Sequence, residues 1–268
     1  MMVCTLAMRE DTRLYRSQVL MFGVLVALVW LMTGFVLMSI QVEPFATEFY
    51  LFAWFGLIFL LDSLIRRSEG SSLVLRCGGR FLLLVLWSAA CWFFFELLNF
   101  RLENWYYVFV SDDDKVRLIG TFLAFGTVFP GIFWIDHYLD IRGIATHLRG
   151  PRLAFSAARL SSMQVAGVLL LALSMLFPQY CFALVWVGPI LIVAPMNYRR
   201  GSNNLLRQLS TGSYGPVARL LLAGLVDLIF LDMWLLHGHY HHLQIELIQK
   251  KSIFFLWQSL LSLHSDLQ

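Results

Sequence analysis

QVLMFGVLVALVWLMTGFVLMSI, residues 18–40, runs for 23 positions without a charged side chain. A helix rises about 1.5 Å per residue, and a hydrocarbon core is about 30 Å thick, so about 20 apolar residues suffice to cross it. The stretch is also longer than the roughly 7–15-residue core of a secretory leader, and no small-x-small cleavage motif follows it. It therefore reads as a signal anchor retained as a first transmembrane helix.

Working outward, the same criterion finds further spans at 47–65, 81–100, 117–136, 160–177, 180–196 and 216–236. The composition agrees: the chain is 59% hydrophobic and 14% charged, with a mean hydropathy of +0.71. A soluble domain carries about 25% charged residues. The expected fold is a single all-α domain, a bundle of about seven transmembrane helices. Phe177-Pro178-Gln179-Tyr180 leaves room only for a tight turn, so the fifth and sixth spans should form an antiparallel hairpin. Close helix contacts are expected at Gly126, Gly131, Gly167 and Gly188.

Orientation follows from the arginines, which collect in the loops that stay in the cytoplasm. The N-terminal tail has Arg9, Arg13 and Arg16, and the second loop has Arg66, Arg67, Arg76 and Arg80. The fourth loop has Arg142, Arg149, Arg152 and Arg159, and the sixth has Arg199, Arg200, Arg207 and Arg219. These make 15 of the 20 basic residues; the alternate loops hold only Arg101, Lys115 and Arg117, with Lys250 and Lys251 in the tail. The N-terminus is thus expected in the cytoplasm. Residues 139–159 mix arginines with apolar side chains and could form a helix lying along the cytoplasmic surface. The stretch after Leu236 is too short for another span and suits the interface.

Cys4, Cys77, Cys91 and Cys181 show no C-x-x-C pair, and the topology separates Cys4 and Cys77 from Cys181 across the bilayer, with Cys91 mid-span. They read as packing residues.

The segment most suited to chemistry is WFFFELLNFRLENWYY, residues 92–107. Were the helix to continue through it, Glu96, Asn99 and Glu103 would share a face, and Arg101 would lie one turn from Trp105, within cation–π reach. A carboxylate in an apolar span is costly and faces a partner or a wet cavity. Glu96, Asn99, Arg101, Asn104 and Trp105 are accordingly candidates for a polar binding pocket near the outer face. The plainer alternative is an inter-helix hydrogen-bond cluster beside an aromatic belt of Trp105, Tyr106 and Tyr107.

Asp136 and Asp140 share a helical face beside His137 and Arg142, an arrangement that could hold a divalent cation; a solvated helix end is the simpler reading. Asp112-Asp113-Asp114 lacks the spacing of a diphosphate-binding acidic motif. Asp227 and Asp232 lie within the seventh span, with no lysine or arginine mid-span to neutralise them. Asp227 is thus a candidate proton- or cation-binding group. His237 and His241 would share a helical face and are weak metal candidates for zinc or copper. No cofactor is indicated. Several classes lose support: no lysine in any span to form a retinal Schiff base, no phosphate-binding glycine loop, no H-E-x-x-H and no G-x-S-x-G.

The segment W-F-F-F-E-L-L-N-F-R-L-E-N-W-Y-Y, followed by F-G-T-V-F-P-G-I-F in the next span, resembles a group of uncharacterised bacterial polytopic membrane proteins over residues 50–135. The resemblance implies a bacterial inner-membrane protein whose signature segment contains Glu96, Asn99, Asn104 and Trp105. It implies no activity.

Three functional expectations follow. The first is a non-enzymatic membrane subunit or a module binding a lipid, an isoprenoid or a membrane protein partner. The second is a membrane-embedded enzyme acting on a lipid or isoprenoid, with Glu96 as acid or base. The third is a small proton-coupled carrier using Asp227. Membrane lipids are expected partners in all three, and nucleic acid in none.

Overall fold

The computed structural model describes residues 2–105, 107, 111 and 113–239, with the side chains of 2–20, 228 and 230–239 left aside. Among the described residues the regular structure is helical, and no strand is present. Five helices are long and apolar enough to cross a membrane: Met21–Ser39 within α1 (Met2–Ser39), α2 (Phe49–Glu69), α4 (Gly79–Leu102), α5 (Asp114–Ile141) and α6 (Ala157–Leu176). Between them lies the one-turn α3 (Leu73–Cys77). The sixth expected span is broken into α7 (Pro178–Cys181) and α8 (Leu184–Arg199). At 16 residues α8 is about 24 Å long, short of a full hydrocarbon core. α9 (Leu205–Ser210) is a short connector, and α10 (Gly215–His239) covers the seventh expected span.

The outward faces of these helices are apolar. Phe22, Trp87, Leu97, Phe100, Leu118, Val165 and Leu221 are all exposed. Large apolar side chains on so many helix exteriors suit a solvent of lipid, as an integral membrane protein requires.

The chain forms two compact units. One gathers α1–α3, α4 as far as Phe93, α5, and α10 as far as Leu235; the other gathers the end of α4 from Phe94 and α6–α9.

In the first unit α1 and α2 run antiparallel. A Cβ on Gly56 would meet Leu31 Cδ2 at 2.5 Å, one on Gly23 would meet Ser63 Oγ at 3.1 Å, and one on Gly34 would meet Phe49 and Phe52. Trp30 Nε1 donates to the Phe52 carbonyl at 3.0 Å. α2 and α5 run parallel: Trp54 lies over Gly131, Asp62 meets Trp134, and Glu69 meets His137. The core joins Trp54, Leu57, Ile58, Leu61 and Ile65 of α2 to Val128, Trp134 and Ile135 of α5 and Ala223 of α10.

Pro130 sits inside α5, where it has no N–H to offer the Gly126 carbonyl and its ring crowds the preceding turn. Buried Ser88 of α4 enters that turn. Its hydroxyl donates to the Phe125 carbonyl at 2.5 Å and accepts the Phe129 N–H at 3.0 Å, so it bridges two groups that are i and i+4 in the helix ladder. A neighbouring serine is one of the few ways to satisfy such groups in lipid.

In the second unit α6 and α8 form the antiparallel hairpin expected from the Pro178 turn. They approach at glycines: a Cβ on Gly167 would lie 2.7 Å from the Gly188 carbonyl oxygen, and one on Gly188 would lie 3.0 Å from that of Gly167. Gly126 packs on Val85 in the same manner, a Cβ there meeting Cγ1 at 2.8 Å. All four glycines expected at helix contacts are at helix contacts.

Residues 139–159 do not form the expected surface helix. α5 runs to Ile141, after which Gly143 and Ala145 take positive φ, of 73° and 58°, and the helix cannot continue. Residues 148–153 are instead held by main-chain hydrogen bonds to 209–214. Leu153 N–H donates to Leu209 and Gly150 N–H to Gly212, and Tyr214 N–H donates back to Leu148, each at 3.1 Å. α6 begins only at Ala157, capped by Ser156, whose hydroxyl accepts the Arg159 N–H at 3.3 Å.

Candidate functional site

Glu96 and Asn99 lie one turn apart near the C-terminal end of α4, both half-buried. The helix does not continue through this segment. It stops at Leu102, and Glu103 takes a left-handed φ of 48°. Two expectations are thereby corrected. Glu103 leaves the face shared by Glu96 and Asn99, and Arg101, exposed in the last turn, does not meet Trp105 through a cation–π contact. The reversal puts Trp105 back against the helix instead.

Asn99 closes that reversal. Its Oδ1 accepts the main-chain N–H groups of Asn104 at 3.0 Å and Trp105 at 3.4 Å, and its Nδ2 donates to the Trp105 carbonyl at 2.8 Å. Asn104 thus enters through its backbone. The returning chain delivers two donors to one carboxylate oxygen: Trp105 Nε1 at 2.9 Å and the Tyr107 hydroxyl at 2.5 Å both donate to Glu96 Oε1. Trp186 of α8 stacks on Trp105 with ring centres 5.6 Å apart, and lies 4.5 Å from the Phe95 ring. The result is a carboxylate tied by aromatic donors and walled by aromatic rings.

A second polar cluster gathers in the first unit, where α2 and α5 end and α10 begins. Arg219, 7% exposed, places Nη1 3.0 Å from Asp140 Oδ1 and Nε 3.5 Å from Asp136 Oδ1. Its guanidinium stands between the two carboxylates, where a bridging cation would have to sit, while Asp140 stays half exposed as a solvated helix end would have it. Beside them His137 Nε2 lies 3.1 Å from Glu69 Oε1, and Glu69 also pairs with Arg76.

Asp62 is a polar hub that pattern reading missed. Its Oδ1 accepts the N–H groups of Leu73 at 2.8 Å and Val74 at 3.0 Å, the first two residues of α3, and that of Trp134 Nε1 at 3.2 Å. An acidic residue eleven positions before Ser72-Leu73, a helix-start pattern, was the available signal.

Asp227 is buried on α10, 6% exposed, and its Oδ1 has no hydrogen-bond partner among the described residues. Tyr50 lies within electrostatic reach of it. Asp113 caps α5, its Oδ1 accepting from Lys115 N–H at 2.8 Å and Val116 N–H at 3.1 Å, while Asp114 pairs with Arg117, so these two acids build a helix start. Asp112 lies outside the described residues. So do His241 and the side chains of His237 and Asp232, and the histidine metal candidates go with them. Among the described residues no three His, Cys, Asp or Glu side chains gather as a metal site, and Cys77, Cys91 and Cys181 are free thiols.

Compared with protein-family models, curated proteins and solved structures, the chain matches none.

Proposed function

We propose that this chain is a seven-crossing bacterial inner-membrane protein with a cytoplasmic N-terminus, acting as a non-enzymatic subunit or as a module that binds a lipid, an isoprenoid or a membrane partner. The observation that carries the non-enzymatic reading is the use made of Glu96. Its Oε1 already accepts two hydrogen bonds from the chain's own Trp105 and Tyr107. One of the two carboxylate oxygens is thus committed within the chain, the use expected of a structural acceptor more than of a group turned toward a substrate. The arrangement therefore supports a rigid aromatic face over the alternative of a lipid- or isoprenoid-modifying enzyme. The segment that resembles bacterial polytopic proteins is the one that builds this face.

The seven-crossing topology is supported by the alternating arginines and by helix direction within the first unit. α1 opposes α2, α5 parallels α2, and α10 starts where α5 ends, as strict alternation demands.

Single cysteines test the topology, placed in a chain whose four native cysteines are replaced. Ser111→Cys should react with a membrane-impermeant maleimide in intact cells, and Ser202→Cys only after permeabilisation. Labelling of Ser202→Cys in intact cells would reverse the map. Mass spectrometry of the protein purified in mild detergent tests the binding role: a co-purifying lipid, isoprenoid or protein supports it, and a bare monodisperse chain removes it.

The carrier alternative has one specific observation in its favour, the buried Asp227 Oδ1 without a hydrogen-bond partner among the described residues. Asp227→Asn with unchanged proton-coupled uptake in vesicles would end that alternative.

A further inference from the structure

Between Ile141 and Val226 the chain has no aspartate and no glutamate, yet it carries eight arginines. Six belong to the unit built from α6–α9: Arg149, Arg152, Arg159, Arg199, Arg200 and Arg207, all exposed. A signal for membrane orientation needs only positive charge in a loop. Here the loop is also built. The main chain of 148–153 is paired with that of 209–214, and the Tyr214 hydroxyl donates to the Pro151 carbonyl at 3.0 Å. Gly212 allows the close approach: a Cβ there would lie 2.8 Å from the Gly150 carbonyl oxygen and 3.3 Å from Arg152 Cγ.

Three of the arginines are oriented by neutral groups. Arg199 donates to Gln164 Oε1 at 2.6 Å and Ser161 Oγ at 2.9 Å, and Arg159 donates to the Ala154 carbonyl at 2.7 Å. The Arg207 guanidinium lies 5.7 Å from the centre of the Tyr198 ring, which in turn packs on Phe155. These contacts fix the side chains and leave their charge uncompensated. Among the described residues of this unit no ion pair involves any of them.

We propose that this arginine clasp binds the phosphate headgroups of anionic phospholipids. The inference rests on the reading that α6 and α8 cross the bilayer. The N-terminal end of α6 and the C-terminal end of α8 then stand at headgroup depth, and the clasp joins them. Two details favour a lipid over an acidic protein. Leu148 and Leu153 are exposed among the arginines, the mixture that interfacial segments use to reach acyl chains. The helix faces continuing from the clasp are also apolar, through Val165, Leu169 and Val193.

The test uses the full-length protein in a mild detergent, titrated with dioleoyl-phosphatidylglycerol, dioleoyl-phosphatidylcholine or inorganic phosphate and read by native mass spectrometry. Phosphatidylglycerol should be retained selectively, and less so as salt is raised. The triple variant Arg149→Gln/Arg152→Gln/Arg207→Gln should lose that retention by roughly a hundredfold, taking about fivefold per basic side chain near an anionic surface. The matching triple replacement by lysine should keep most of it, which shows that a loss in the glutamine variant is one of charge and not of folding. Equal retention of both lipids, equal binding by the glutamine variant, or displacement by millimolar phosphate would overturn the proposal. Release of the protein from membranes by alkaline carbonate without detergent would instead overturn the bilayer reading beneath it.

Discussion

Gly167 and Gly188 face one another across the α6–α8 hairpin so closely that a Cβ on either would press on the main-chain oxygen of the other, at 2.7 and 3.0 Å. Backbone cannot swing aside as a side chain can. Gly167→Ala or Gly188→Ala should therefore cost about 1–3 kcal/mol by overpacking, even though alanine is the better helix former. Gly224 of α10 is the control, because a Cβ there meets nothing within 4 Å among the described residues. Gly224→Ala should be neutral or gain up to about 1 kcal/mol of helix propensity. Thermal unfolding in detergent compares the three, and equal behaviour would mean that the hairpin is looser than described.

That contact was legible in the sequence because glycine in a long apolar run has few other uses, and the same held for Gly126 and Gly131. Five of the spans were legible too: 47–65 became Phe49–Glu69, for example, and 160–177 became Ala157–Leu176. Hydropathy reads length well and says little about what fixes the ends. α4 stops at Leu102 with no glycine or proline to announce it, because Asn99 satisfies the reversing main chain from one turn back. The opposite error affected 139–159, where arginine and leucine suggested an amphipathic helix while Gly143 and Gly150-Pro151 already argued against one. Arg219 was counted as a loop charge because position alone cannot show that it turns inward to Asp136 and Asp140.

Ser88 is hidden in a different way. One serine in an apolar helix has no periodic signature, and its role appears only with Pro130 on the neighbouring helix. Ser88→Ala should cost about 1 kcal/mol, near the usual value for an inter-helix hydrogen bond in membranes. The cost should shrink when Pro130→Ala is also present, since without the ring the Phe129 N–H and the Phe125 carbonyl can pair with each other. A double-mutant cycle measured by unfolding in detergent reports this coupling. Strict additivity would show that the serine serves something other than the proline-opened turn.

Arg219 holds two carboxylates while nearly excluded from solvent. Removing one partner of a buried pair commonly costs about 3–5 kcal/mol, but Asp140 is half exposed and the surrounding solvent screens it. Arg219→Gln should thus destabilise by about 1–3 kcal/mol. Adding Asp136→Asn and Asp140→Asn should recover much of the loss, because no unpaired charge then remains. Expression level and unfolding midpoint of the single and triple variants decide it. A triple variant no better than Arg219→Gln would mean that the arginine acts through its packing alone.

The Glu96 cluster distinguishes an acceptor from a proton donor. Glu96→Gln keeps a carbonyl oxygen able to receive Trp105 Nε1 and the Tyr107 hydroxyl, so it should leave the unfolding midpoint nearly unchanged. Glu96→Leu removes the acceptor and strands two donors, at a cost of about 1–3 kcal/mol. The same contrast should appear in tryptophan fluorescence, because Trp105 stacks on Trp186 only while the returning chain is pinned to α4. Glutamine should preserve the wild-type emission and leucine should shift it. If Glu96→Gln also releases Trp105, then the negative charge rather than the acceptor geometry holds the segment. The carboxylate would then be available as a charged group to whatever the aromatic face binds.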